Sequence, residues 1–260
     1  IDIAQGLVNE NELVVSNEIQ EQLNLRKGQL VNVEIAPEPK SIAYIYKKLN
    51  NKRLSKQEIK TIISDIVKNA LTETEIAYFV SAVHNSGMNS NETEALIKSM
   101  VNVGQKLSFK GKVVDKHCIG GIAGNRTTPL VVSICAAAGL TMPKTSSRAI
   151  TSAAGTADVT ESIANIEFSV KEIKQIIKKT NACLAWNGIL GLSPADDKLI
   201  QVEKLLHLDP EPQLLASILS KKLAVGSKYV LIDIPYGKGA KVSKKRAKEL
   251  KKKFEKFGTK

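Results

Sequence analysis

Four short apolar runs, KVVDKHC, LTMPKTSS, ACLAWNG and KYVLIDIP, recur along the second half of the chain, and helical stretches follow NRTTP, RAITSA and the start of PEPQLLASILSKKLAV. The runs read as buried strands. Strand and helix in alternation require a parallel sheet with helices packed on it, because parallel neighbours can be joined only by a crossover. Ligands of such sheets gather at the carboxyl ends of the strands. The polar clusters DKHC, TSSRAITS and DIPYGKGAK fall at those ends.

Upstream the period changes to helical. Ser55 with Glu58 and Thr72 with Glu75 have the capping-box spacing, and each pair opens an apolar helix, in LSKQEIKTIISDIVKNAL and LTETEIAYFVSAVHNS. A third helix, NETEALIKSMVNVG, is expected to end with Gly104 as its C-terminal cap. His84, near a helix end, reads as a surface or capping residue. Ahead of these, ELVVSNEIQEQLNLRKGQLVNVEIAPEP reads as short strands around a turn at Arg26-Lys27-Gly28, closed by Pro37 and Pro39. A segment that short cannot close a barrel alone, so half of a small β domain is expected, or strands that pair with another chain. The fold class is therefore α/β with a helical domain: a partial β domain over 1–40, an all-α domain over 41–110 and a partial α/β domain over 111–260.

Charge separates the tail from the body. The net charge is +12, yet residues 238–260 hold 11 Lys or Arg against two Glu, so the rest is close to neutral. In VSKKRAKELKKKFEKF, Ala247, Leu250, Phe254 and Phe257 are spaced for one face of an amphipathic helix. That helix is expected to pack on its own protein, with nucleic acid or membrane contact as the alternative. Cys118, Cys135 and Cys183 show no CxxC spacing, no apolar run reaches 18 residues, and the opening IDIAQGLVNENE has no basic head and apolar stretch. A soluble, cytoplasmic protein is expected.

The stretch KVVDKHCIGGIAGNRTTPLVV has the makings of an anion pocket. Gly120, Gly121 and Gly124 let the backbone turn sharply and present N–H groups. The helix opening near Thr127 offers unpaired donors and a positive dipole end, Lys116 adds a charge, and Thr127 and Thr128 add hydroxyls. Neither a Walker A ending nor GxGxxG is present. His117 and Cys118, adjacent on an extended segment, should face opposite ways and make a poor nucleophile–base pair. The second polar stretch, MPKTSSRAITSAAGTADVTE, carries Thr145, Ser146, Ser147, Thr151, Ser152 and Thr156, a hydroxyl density suited to phosphate and sugar oxygens.

DKHCIGGIAGN together with SSRAITSAAGTADVTE resembles the paired phosphate-loop and sugar-loop motifs of the nucleoside phosphorylase family related to anthranilate phosphoribosyltransferase, and within it the branch that cleaves nucleotides. The resemblance covers nearly the whole chain, and family members run to about twice its length, which implies a fragment lacking the N-terminal start and the C-terminal half. It implies a pentosyltransferase that converts AMP and inorganic phosphate to adenine and ribose 1,5-bisphosphate, with CMP and UMP as further substrates. By the same resemblance Lys116, Thr127, Ser146 and Thr156 hold phosphate. Gly121, Ser147, Arg148, Ala149, Ile150, Thr151, Ser152, Thr156, Ser217, Lys221 and Lys241 contact the nucleotide, and Asp209 donates the proton to the leaving base. An Asp can do so only if its proton is retained near neutral pH. As structure alone, Asp209 would equally serve as N-cap of a helix beginning at Pro210.

No metal or organic cofactor, no nucleic acid and no membrane are implied, and a homo-oligomer is. Cys118 stands where relatives carry Ser, which replaces a hydroxyl donor by a weaker thiol. The pyrimidine nucleoside branch has Arg at the position aligned with Val202, so the apolar side chain favours the nucleotide branch. A pyrimidine nucleoside phosphorylase and a non-catalytic truncated remnant are the alternatives.

Overall fold

The structure is a computed structural model that describes residues 8–35, 37–122, 124, 126–148, 154–188 and 190–259 of the chain. It divides into two compact units, 1–38 and 39–260. The first contains one short helix, α1 (Asn17–Leu23), and no paired strand among its described residues. The expected strands of this segment are thus replaced by a helix in the middle and unpaired backbone around it. Local chemistry explains the helix: the Ser16 hydroxyl accepts from the Ile19 amide, and Asn24, in the left-handed region, closes the other end. The apolar residues that suggested a strand, Leu30, Val31, Val33 and Ile35, are exposed, and a strand without a partner leaves its ladder groups unmet.

The second unit opens with four helices, α2 (Lys40–Leu49), α3 (Lys56–Val67), α4 (Glu73–Ser86) and α5 (Ser90–Asn102). Both expected capping boxes are formed, and a third, Asn89 with Glu92, starts α5. Glu92 also takes the buried Lys48 ammonium at 2.9 Å and the Leu54 amide, so one carboxylate caps a helix and neutralises a buried cation. Gly104 does not act as a helix cap. The cap of α5 is Val103, and Gly104 instead lies so near the Leu192 backbone that an added Cβ would come within 2.0 Å of its carbonyl oxygen.

The four expected strands form, as β1 (Val114–Cys118), β2 (Met142–Ser146), β3 (Ala182–Trp186) and β4 (Tyr229–Asp233). β1 pairs in parallel with β4, and β2 with β3. A bridge from Val113 to Thr141 joins the two pairs, giving the order β4-β1-β2-β3. Between the strands come α6 (Thr127–Ala137), α7 (Thr156–Glu161), α8 (Val170–Thr180), α9 (Pro194–Leu206) and α10 (Glu211–Ala224), with α11 (Lys244–Gly258) last.

The main core is shared between these parts. Ile59, Ile62, Ile63, Ile66, Phe79, Val80 and Leu96 of the first helices pack in one cluster with Leu199 and Val202 of α9, Leu215, Ile218 and Leu219 of α10, and Leu250 and Phe254 of α11. Packing of this kind makes α9 and α10 part of the helical body while their other faces look toward the sheet. The basic tail helix buries Ala247, Leu250 and Phe254 as its stripe requires, and Arg246 and Lys253 pair with Glu211 at the start of α10. No helix among the described residues is long and apolar enough to cross a membrane.

Candidate functional site

The side-by-side pairing of β1 and β4 brings the carboxyl ends of both to one edge, where a cleft opens. Lys116, almost wholly buried, donates from Nζ to Thr127 Oγ1 at 3.0 Å and pairs with Asp233 Oδ2 at 3.0 Å. One ammonium thereby ties β1, α6 and β4 together. The N-cap of α6, Arg126, makes no side-chain cap hydrogen bond, and Arg126 and Thr128 line the cleft, so the positive end of this helix is turned to it.

Gly121 needs to be glycine for two reasons. Its φ is +83°, and a Cβ there would lie 2.3 Å from Cβ of Lys241. The glycine loop and Lys241 are thus in direct contact.

The second stretch forms the neighbouring wall. Ser146, Ser147, Arg148 and Thr156 line the cleft, while Ala149, Ile150, Thr151 and Ser152 lie outside the described residues. Arg148 lies over the Trp186 ring at 4.7 Å, and its Nη2 donates to Glu161 Oε1 at 2.8 Å. The facing wall comes from α9, α10 and the loop between them: Glu203, Asp209, Ser217 and Lys221, with Lys241 above. Lys221 donates to Ser217 Oγ at 3.2 Å and pairs with Asp196 at 2.6 Å, and Lys241 pairs with Asp209. The N-cap of α10 is Pro210, so Asp209 is not its cap and its carboxylate is directed to Lys241 instead.

His117 and Cys118 both line the cleft, which lies across the end of β1. Val202, 3% exposed, belongs to the apolar core of the helices and does not line the cleft; the adjacent Glu203 does, one step round α9.

Beneath the cleft floor is a buried group of charges that no local spacing announces. Asp115 accepts from Lys222 at 2.7 Å and lies 3.9 Å from Lys144. Burial, then Lys222, Lys144, Lys221 and Lys116, hold the His117 imidazolium well below its usual range, so the imidazole faces the cleft uncharged. Burial pushes the Cys118 thiol up, which keeps it a thiol.

Lys144 carries a testable cost. Burial and the Lys222 charge pull it from 10.5 down to about 7. Between those values the unfolded chain binds the proton and the folded chain does not, so stability rises with pH across this window. Urea midpoints of the wild-type chain should therefore rise relative to those of Lys144→Met as pH goes from about 7 to about 10. Parallel pH profiles would refute the assignment.

Helical bundle, parallel sheet and a cleft at its carboxyl edge define a class. Residues 42–104 match the helical bundle domain of the glycosyl transferase family, and 110–251 match the a/b domain of that family. The chain belongs to the glycosyl transferase family. It is similar to the AMP phosphorylase of Pyrococcus furiosus, 48% identical over 255 residues that make 97% of this chain and 51% of that protein. The AMP phosphorylase of Thermococcus kodakarensis is 50% identical over 238 residues, 91% of this chain and 47% of that protein. That of Methanocaldococcus jannaschii is 46% identical over 249 residues, 95% and 50%. The chain spans about half the length of these relatives. Among solved structures, anthranilate phosphoribosyltransferase from Thermus thermophilus matches with a TM-score of 0.67 at 17% identity, over 82% of this chain and 63% of that one, and shares the fold.

Proposed function

We propose that the protein is a nucleoside 5′-monophosphate phosphorylase that converts AMP and phosphate to adenine and ribose 1,5-bisphosphate, with CMP and UMP as further substrates. The observation that carries this reading is one cleft lined by Gly120 and Thr128 of the first polar stretch, Ser146, Ser147 and Thr156 of the second, and Asp209, Lys221 and Lys241 of the facing wall. The AMP phosphorylase names of relatives near 50% identity support it.

The chemistry suits the arrangement. Attack of phosphate at C1′ leaves positive charge on the ribosyl ring and negative charge on the departing base, as in glycoside cleavage. In this reading Lys116, Thr127, Ser146 and Thr156 hold inorganic phosphate at the N-terminal end of α6. Gly121, the 147–152 segment, Thr156, Ser217, Lys221 and Lys241 hold the nucleotide, and Asp209 passes a proton to the base. The neutral His117 lets the nucleotide anion approach without an ion pair that would have to be broken later. No cofactor enters the scheme. We further take the active form to be a cytoplasmic homo-oligomer, with the three-part organisation of 1–40, 41–110 and 111–260 as its domains.

Incubation with AMP and phosphate, followed by chromatography for free adenine, tests the reading. Adenine from AMP and none from adenosine is the expected result. Cleavage of thymidine instead would move the protein to the pyrimidine nucleoside branch, and no release from the folded chain would overturn the activity for this polypeptide.

A further inference from the structure

Three carboxyls and two lysines meet where α9 and α10 face the cleft. Lys221 is committed to Asp196, and Lys241 to Asp209. The third acid, Glu203, is 7% exposed and lines the cleft, and its carboxyl has no hydrogen-bond or ion-pair partner among the described residues. The other charged or titratable side chains that line the cleft with it are His117, Cys118, Arg126, Arg148, Asp209, Lys221 and Lys241.

A carboxylate so placed would be buried with two acidic neighbours and no cation of its own, and the cost of that falls on the charged form alone. Asp209 is placed otherwise, with its carboxylate held against the Lys241 ammonium. The acid that this reading sets beside the base and the acid left without a cation are two different residues.

We propose, building on the phosphorolysis reading above, that Glu203 is the proton store of the cleft and delivers through Asp209 the proton that the departing base takes. The Glu203 O–H gives its proton to the Asp209 carboxylate as Lys241 turns to the bound nucleotide, and Asp209 passes it to a ring nitrogen of the base. The C1′–N bond breaks with its electron pair going to the base, a phosphate oxygen bonds to C1′, and Glu203 is left as carboxylate until it regains a proton from water. Charge around the pair supports this order. Burial first, then Asp196 and Asp209, push the Glu203 carboxyl up to about 8 against the opposing pull of Lys221 and Lys241.

Two measurements decide it. Carbon-13 NMR of the chain labelled at glutamate carboxyls should show one group titrating at about 8, absent in Glu203→Gln and shifted down in Asp209→Asn, which removes a neighbouring negative charge. No glutamate titrating above about 6 would overturn the proposal. With AMP, Glu203→Gln should lower kcat by about 10²-fold and abolish the fall in rate at alkaline pH, while KM changes little. With 4-nitrophenyl ribofuranoside 5-phosphate, whose leaving group needs no proton, the same variant should match wild type. Equal losses on both substrates would reduce Glu203 to a structural part and sink the proposal. Absence of any turnover by the wild-type chain would refute the phosphorolysis reading and proton delivery with it, while the titration still shows whether Glu203 stores the proton.

Discussion

Asp209→Asn is expected to slow adenine release from AMP by about 10²- to 10⁴-fold, the range that a positioned general acid contributes. The amide keeps the shape of the side chain but can neither accept a proton from a neighbour nor pass one on to a departing base. Asp209 is about one-quarter exposed and paired with Lys241 across the cleft, so the substitution leaves the core untouched and the chain should stay folded. It also releases the Lys241 ammonium, which can then meet the nucleotide without first leaving a carboxylate. Binding of AMP should accordingly hold or tighten while kcat falls. Measured by calorimetry on the variant, a Kd for AMP that weakens in step with the lost rate would mean that Asp209 serves binding and that the proton comes by another route.

The second large effect belongs to Gly104, which is far from any chemistry. Gly104→Ala would place a methyl carbon 2.0 Å from the Leu192 carbonyl oxygen and 2.6 Å from its carbonyl carbon. Both are backbone atoms, and the adjacent Gln105 amide is already bonded to the Gly191 carbonyl at 2.8 Å. Neither side can swing away as a flexible side chain would. Overpacking of this kind costs about 1–3 kcal/mol, and separation of the end of α5 from the segment leading into α9 puts the upper part of that range in view. For a chain of this size the midpoint of thermal unfolding should drop by about 2–10 °C. An unchanged melting temperature would show that these backbones part without penalty.

Much of the architecture could be read from local pattern. The four strands and the capping boxes of α3 and α4 depend on neighbours a few residues away, and the apolar stripe of α11 repeats at helical spacing. α8 carries the same Ser-x-x-Glu signature in Ser169 and Glu172, although the charge of KEIKQIIKK dilutes its apolar face. α1 was hidden because NEIQEQL is short and flanked by apolar pairs that resemble strand edges. Gly104 shows the limit from the other side. A glycine after a helix fits a cap, and only the fold reveals that the reason for it lies 88 residues away at Leu192.

In the cleft, what was legible was that the two polar stretches would lie at the carboxyl ends of their strands, because glycine and hydroxyl residues stand there in runs. What was not legible was the acid–base balance. Asp115 and Lys222 are 107 residues apart, and the pairing of Lys241 with Asp209 depends on α10 and β4 lying between them in sequence. Glu203 has no motif at all. It differs from any glutamate on a helix only in that its helix turns it inward and its two neighbouring lysines are already taken.

The stacking of Arg148 on Trp186 has a practical consequence. Trp186 is the sole tryptophan of the chain, at the last position of β3 and beneath an arginine that lines the cleft. Light emitted by this protein on excitation of indole therefore comes from a single place, next to the loop that carries the hydroxyls. Any ligand that draws Arg148 off the ring changes the indole's surroundings directly, so the molecule carries its own optical gauge of occupancy, free of label and independent of turnover.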